Sequence, residues 1–249
     1  MGNGYRIDCS ELGEKKSAQD NKTYGGLFGY IGKNGVVKDV HVIGSVYGEW
    51  VGSFATVNLG LIENCSSSAT VRAKERGFYD TWYYTRNSLG AAGIVGTNGG
   101  TIRNCVFNGS VIKGEYTDYN YSSASSLKLA GLCIENNYNY VESGTIENCL
   151  FFGELYVSTS YSGLLEISVD AIAFASYGVT KNNYYTEESM EASDWGNAMY
   201  ATSVARTRMT EKDFYTDVLG WDEDDWDFSQ LGEPSPWSDY ECPKPKKKA

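Results

Sequence analysis

The fold class predicted for this 249-residue chain is all-β, specifically a parallel β-helix (β-solenoid) of about five coils with long corner loops and a small C-terminal capping segment. Three observations point there. A hexapeptide ending in Asn-Cys occurs as GLIENC (60–65), GTIRNC (100–105) and GTIENC (144–149). Each copy is followed by a strand-like stretch in which small or apolar residues recur at every second position. The composition, with 28 Gly, 20 Tyr and only 4 Pro, suits strands joined by turns.

The repeat extends in both directions. Upstream lies a small-apolar-small segment: GGLFG from Gly25, VGSFA from Val51, AGIVG from Ala92, AGLCI from Ala130 and IAFAS from Ile172. Downstream lies a strand: VHVIGSV from Val40, CSSSATV from Cys65, CVFNGSV from Cys105 and CLFFGEL from Cys149. With Asp8-Cys9, Asp39-Val40 and Asn182-Asn183 as diverged cognates, the marks fall at 9, 40, 65, 105, 149 and 183, separated by 31, 25, 40, 44 and 34 residues. Constant strands with variable connections describe a solenoid whose coils differ in their loops. Coils of at least 25 residues with irregular loops favour the right-handed form.

Residues 1–185 form the predicted solenoid, of which 1–23 are a partial entry coil, as in a piece of a longer chain. In the downstream strand, Val40, Val42, Gly44 and Val46 face inward, with Cys65, Cys105 and Cys149 stacked on Val40. His41, Ile43 and Ser45 face outward, and His41 reads as a surface residue. Parallel coils stack at roughly 4.8 Å. Equivalent cysteines then keep their Cβ atoms beyond the ~3.8 Å that a disulfide needs, so these thiols are expected to be reduced. Cys133, aligned with Phe28, Phe54, Val95 and Phe174, is also expected in the core; Cys242 is left open. Within the hexapeptide, Gly makes the turn, Ile or Val enters the core, and Asn bridges coils. Asp8, Asp39, Asn64, Asn104, Asn148 and Asn182 would form the corner ladder. Lys38, Glu63, Arg103, Glu147 and Lys181 share the preceding position and read as a charge ladder.

These residues resemble the GLUG motif, a repeat of bacterial surface and secreted proteins, including adhesin-like proteins and some immunoglobulin A peptidases. The closest match is AGIVGTNGGTIRNCVFNGSV (92–111), and the resemblance covers about residues 24–185. The segment 209–231, with LGW and a later WDF, is similar to one that often closes such solenoids. The resemblance implies a parallel β-helix with a scaffold or adhesion role and no catalytic residues in the repeats.

Residues 186–249 form the predicted cap and basic tail. Thr210 and Asp213 have capping-box-like spacing before a short helix over 211–219. Trp221, Trp226 and Phe228 are expected to cover the open end of the last coil, and 243–249 reads as a linker or tail. The acidic run 222–227 suits either calcium or a solvated turn; it lacks the EF-hand spacing, which favours the turn.

Long insertions mark one corner. The step from the end of one downstream strand to the next upstream segment is six residues after Val46. It is 22 after Val71, 20 after Val111 and 17 after Leu155. These insertions are rich in Tyr, Ser, Asn and Gly, a composition typical of recognition loops. Tyr79, Trp82, Tyr83, Tyr84, Tyr116, Tyr119, Tyr121 and Tyr161 are the candidate ligand-binding residues. A further insertion, NNYNYVES (136–143), lies at another corner.

The net charge of −11 argues against nucleic acid as a partner. No stretch approaches the ~18 apolar residues of a membrane span, and the N-terminus lacks signal-peptide features. A catalytic cysteine lacks a base, since the one histidine has no cysteine in its own coil, and no HExxH motif occurs. The expectation is a non-catalytic, monomeric scaffold or adhesion region, extracellular or at the bacterial cell surface, without metal or other cofactor. Its partner would be a host or bacterial glycan, or a surface protein. The alternatives are an accessory region of a secreted peptidase and a carbohydrate-active β-helix enzyme.

Overall fold

The computed structural model describes residues 5–9, 24–73, 88–113, 126–138, 142–156, 166–190, 196–234 and 241–247. The chain is all-β, with parallel sheets stacked over each other as in a β-helix or solenoid. One circuit runs through Val40–Ile43, Ser45–Gly48, Trp50–Gly52, Ala55–Asn58 and Leu61–Glu63. The next begins at Ser66–Ser67, which pairs in parallel with Val40–Ile43. Each of the five positions in the circuit thereby builds its own sheet: one seven-stranded, one four-stranded, two six-stranded and one five-stranded.

The inward columns are those expected from the period-two pattern. Val40, Cys65, Cys105 and Cys149 are all buried, as are Val42, Ser67, Phe107 and Phe151 in the neighbouring column. Phe107 and Phe151 stack with ring centroids 6.2 Å apart. Ile62, Ile102 and Ile146 form a third inward column, each fully buried. All six cysteines are reduced and buried. Asn183 takes the place of a further cysteine in the column of Cys65, Cys105 and Cys149. Its Oδ1 accepts from the Cys149 amide at 3.0 Å and its Nδ2 donates to the Ile146 carbonyl at 2.9 Å.

The corner residues differ from expectation in their division of labour. Asp39, Asn64, Asn104, Asn148 and Asn182 all have φ between 50° and 58°. Asn and Asp tolerate this left-handed region better than other non-glycine residues, so the Asn turns the chain as well as bridging it. The hexapeptide glycine is required by close approach. A Cβ on Gly100 would lie 2.2 Å from the Gly60 carbonyl oxygen, and one on Gly60 would lie 2.2 Å from that of Gly35.

Two alignments made on sequence are corrected by the register. Asp8 pairs with Ile43, and it is Tyr5 that opposes Val40. Asp8 is therefore outside the corner ladder, because Ile7 and Cys9 match the inward Val42 and its successor Gly44. In the upstream segment, Val95 opposes Ala55, and Phe28 also opposes Ala55. Cys133 opposes Val95 and Ala173. Cys133 is in the core, but Phe54 belongs one position earlier, in a row where its amide donates to the Ile94 carbonyl, that of Ile94 to Leu132, and that of Leu132 to Ile172. Phe28 is 41% exposed. A one-residue slip changes which side chain meets the core: Phe54, Ile94, Leu132 and Ile172 take the inward position, and in the first circuit Leu27 rather than Phe28 packs against the core.

The C-terminal segment departs most from expectation. Trp221, Trp226 and Phe228 do not lie over the end of the stack. With Met209, Phe214, Tyr215, Leu219 and Cys242 they pack on Val106, Leu150 and Phe152, the outer face of the seven-stranded sheet. The segment runs back along that face. Trp221 Nε1 donates to the Asn148 carbonyl at 3.2 Å, Asp225 accepts from Asn64 Nδ2 at 2.8 Å, and Lys244–Pro245 reaches Val40–Ile43. His41 and Ile43 point outward yet are buried beneath it. Residues 243–247, expected as a tail, are part of this cover, with Lys244–Pro245 pairing antiparallel to Trp226–Asp227. The predicted helix narrows to a π-helical turn over Phe214–Val218. Thr210 does not cap it; its hydroxyl donates to the Thr207 carbonyl at 2.7 Å, inside the preceding 3-10 turn Arg206–Thr210.

Candidate functional site

The loop-bearing corner is built by two sheets. Thr70–Ala73, Ser110–Lys113 and Glu154–Tyr156 lie side by side, with Thr70 opposite Ser110 and Ser110 opposite Glu154. The strands that follow the insertions, Ser88–Ala92, Ser126–Ala130 and Glu166–Asp170, are likewise in register, Ser88 opposite Ser126 and Ser126 opposite Glu166. The three insertions therefore leave from, and return to, equivalent positions at a single corner. In the earlier circuit the same corner is closed by Gly48, Glu49 and Trp50. The candidate residues Tyr79, Trp82, Tyr83, Tyr84, Tyr116, Tyr119, Tyr121 and Tyr161 all lie outside the described residues.

Beside the roots of these insertions stands a group that sequence reasoning missed. Trp50, Gly90 and Lys128 occupy one register position on successive strands. A Cβ on Gly90 would lie 2.9 Å from the Trp50 ring, and one on Gly96 would lie 2.6 Å from it. The indole thus lies against two glycines, with its Nε1 donating to Thr97 Oγ1 at 2.9 Å. The Lys128 ammonium sits 5.6 Å from the Trp50 ring centroid and 4.8 Å from that of Phe174, and pairs with Glu135 at 3.0 Å. Tyr156, at the root of the third insertion, is 53% exposed. Half-buried aromatic faces beside hydroxyl and charged groups suit an amphipathic ligand surface. The legible signal was Gly90, standing where its neighbours on either side carry Trp and Lys.

At the opposite corner the charged column is ion-paired over its first three members, Lys38, Glu63 and Arg103; Glu147 and Lys181 stand in register with them, and among the described residues no ion pair joins them to the column. Glu63 binds Lys38 at 2.8 Å on one side and Arg103 on the other. Burial pushes the Glu63 carboxyl up, but hydrogen bonds from Lys38 and Arg103 outweigh it and hold the group below its ordinary value. Both oxygens of Glu63 are engaged, so the column stiffens the sheet.

The asparagine ladder is continuous. Asn182 donates to Asn148 (2.8 Å), Asn148 to Asn104 (3.4 Å) and Asn104 to Asn64 (3.2 Å). Tyr184 donates to Asn182 at one end, and Asn64 donates to the Asp225 carboxylate at the other. All the amides point the same way, an arrangement in which each bond polarises the next. A second ladder joins Asn58, Asn98 and Asn136, with 2.8 Å at each step, and ends on Ser176 at 3.1 Å. Its members are fully buried, and the recurring Asn two residues before the hexapeptide Gly, at 58 and 98, was the signal for it.

The buried thiols and the acidic run are taken up by the fold. Burial raises the Cys65 and Cys105 thiols well above their ordinary value, and it takes Cys9 to about 11. The Sγ atoms of Cys65, Cys105 and Cys149 each donate to a carbonyl two residues earlier, at 3.1 Å. Protonated, buried thiols are poor nucleophiles. In the acidic run, Asp222 accepts from the Asp224 amide, Asp225 from Asn64, Asp227 from the Ser229 amide, and Glu223 pairs with Lys212. Among the described residues, no group of three or more His, Cys, Asp or Glu side chains is placed to hold a metal ion. No helix among them is long and apolar enough to cross a membrane.

Comparison with protein-family models found no match, and comparisons with curated proteins and with solved structures found none either.

Proposed function

We propose that this chain is a non-catalytic scaffold and adhesion region of a bacterial cell-surface protein, of the kind that carries GLUG-motif repeats. It is a right-handed solenoid of about five coils that displays Tyr-rich loops to a glycan or surface protein. The observation that carries this reading is the shared register of the strands flanking the three insertions. Neighbouring strands of a sheet lie about 4.8 Å apart. Segments rooted on adjacent strands at one corner converge on one surface, and their Tyr, Ser and Asn content suits sugar hydroxyls and apolar sugar faces alike. The half-buried Trp50 and exposed Tyr156 extend that surface onto the described strands.

A glycan array probed with the purified chain and with a Trp82→Ala, Tyr119→Ala double variant tests the proposal. Expected is selective retention of a glycan class by the parent chain and its loss in the variant, with the melting temperature preserved. A variant that melts several degrees lower without losing attachment would assign the rings to loop packing and overturn the binding role. Shortening of a bound oligosaccharide during incubation would overturn the non-catalytic reading.

A further inference from the structure

We propose that residues 241–247 form an acid-released latch over the N-terminal end of the seven-stranded sheet, with His41 as the group that senses the proton. Arg6, His41 and Ser66 are neighbours on three adjacent strands, all on the outer face. His41 is 4% exposed, and its Nδ1 lies 2.7 Å from Ser66 Oγ. Lys244–Pro245 packs against its strand from above.

Among the described residues, the charged groups that act on the ring are two cations, Lys244 from the latch itself and Arg6 from the neighbouring strand; Asp8, further along that strand, stands opposite Ile43. The carboxylates of the covering segment are directed elsewhere. Glu241 pairs with Lys244 at 2.9 Å, Asp225 binds Asn64, and Asp227 accepts from the Ser229 amide. A proton on His41 therefore adds a positive charge at a buried position beside Lys244 and the more exposed Arg6, and the Glu241 carboxylate is already taken up by Lys244.

Burial, and then Lys244 and Arg6, push the imidazole down to about 3 while the latch is closed. Lifting the latch returns the ring to water and to its ordinary value near ~6.5. The open form then binds the proton more tightly than the closed form. As pH falls from about 6.5 toward 3, the open-to-closed ratio rises about tenfold per pH unit. Opening also bares Cys242, which is 2% exposed and sits 3.9 Å from Ser68 Oγ. The other five cysteines remain in the solenoid interior.

The test uses the full chain and 4,4′-dithiodipyridine, which reports thiols in acid. The reaction rate is measured from pH 7.5 to 4, relative to the denatured chain at the same pH, and the labelled peptide is identified by mass spectrometry. The expected result is that Cys242 alone loses protection, about tenfold per pH unit below 6.5, while circular dichroism retains the β signal. In His41→Gln, which keeps a hydrogen-bonding side chain toward Ser66, that slope disappears. The same acid response in His41→Gln would assign release to the carboxylates and overturn the proposal. Simultaneous reaction of all six thiols would show that the segment leaves only with the whole fold, and would overturn it too. If His41→Gln does not fold, Lys244→Gln decides: with one facing cation removed, protection should level off at a higher pH, and an unchanged profile refutes the sensor.

Discussion

Asn104 separates the two tasks that the structure assigns to the corner asparagines. Its φ is 50°, its Nδ2 donates to Asn64 at 3.2 Å, and its Oδ1 accepts from Asn148 at 3.4 Å. Replacement by Ala removes both bonds, each worth about 0.5–1 kcal/mol net at these lengths. It also forces a Cβ-bearing residue without local hydrogen bonds into the left-handed region, at about 1–2 kcal/mol. The sum for Asn104→Ala is about 3 kcal/mol. Asn104→Gly loses the same bonds but meets no left-handed penalty, so with the entropy of a freer unfolded chain it costs about 2 kcal/mol. The order is diagnostic: in ordinary strand or helix positions Gly is the worse residue, and here Ala is. For a chain of this size 1 kcal/mol moves Tm by about 2–4 °C. Asn104→Ala should therefore melt about 6–12 °C below the parent, with Asn104→Gly between them. Thermal melts followed by circular dichroism, with urea midpoints as a second measure, read the difference. An Ala variant equal to or more stable than the Gly variant would refute the backbone argument, and two variants melting with the parent would refute the ladder as well.

Further outcomes are expected. Ile102→Asp places a carboxylate at a fully buried position between Ile62 and Ile146; burying it unpaired should lower stability by at least about 3 kcal/mol, and an unchanged Tm would remove Ile102 from the core. Asp170, buried with its Oδ1 accepting from the Ile172 and Ala173 amides, has its pKa raised by burial to about 7. Between about pH 4 and pH 7 the folded chain holds a proton that the unfolded chain has lost, so this group makes stability fall as pH rises. Asp170→Asn should cancel that fall and raise Tm above the parent at pH 8 but not at pH 4; an equal gain at both pH values would refute the assignment. Thiol titration under denaturant should count six free thiols per chain, and a lower count would contradict the reduced, stacked column.

The interior was legible because its signals are local and repeated. Period-two alternation placed Val42, Cys105 and Phe151 inside, and the hexapeptide marked the corner through Ile102 and Asn104. The charge ladder followed for Lys38, Glu63 and Arg103, since stacking in register turns equal sequence positions into neighbours, but not as ion pairs for Glu147 and Lys181. Register was less secure where neighbouring residues are similar: in VGSFA against AGIVG, matching Gly52 to Gly93 sets Phe54 against Val95, whereas the structure places Gly52 opposite Ala92 and joins Phe54 to Ile94. The Asp8-Cys9 pair misled for the same reason, because one copy of a two-residue pattern is weaker than the inward match of Ile7 and Cys9.

The sequence by itself determined the repeated circuit, its inward columns, its reduced thiols and the corner from which the long insertions arise. Only the tertiary structure decided what lies outside the seven-stranded sheet. Outward Ile43, Val106, Leu150 and Phe152 break the apolar-in, polar-out alternation, as strands buried on both faces do. Sequence shows that such residues need a cover but not which segment supplies it. Among the described residues the cover comes from 206–234 and 241–247, joined to the sheet through Asn64–Asp225, Asn148–Trp221 and Ser68–Cys242, the last pair 174 positions apart along the chain. Contacts at that separation obey no periodicity, so the burial of His41 and the path of the C-terminal segment arise from complementarity of two surfaces that exist only once the solenoid has formed.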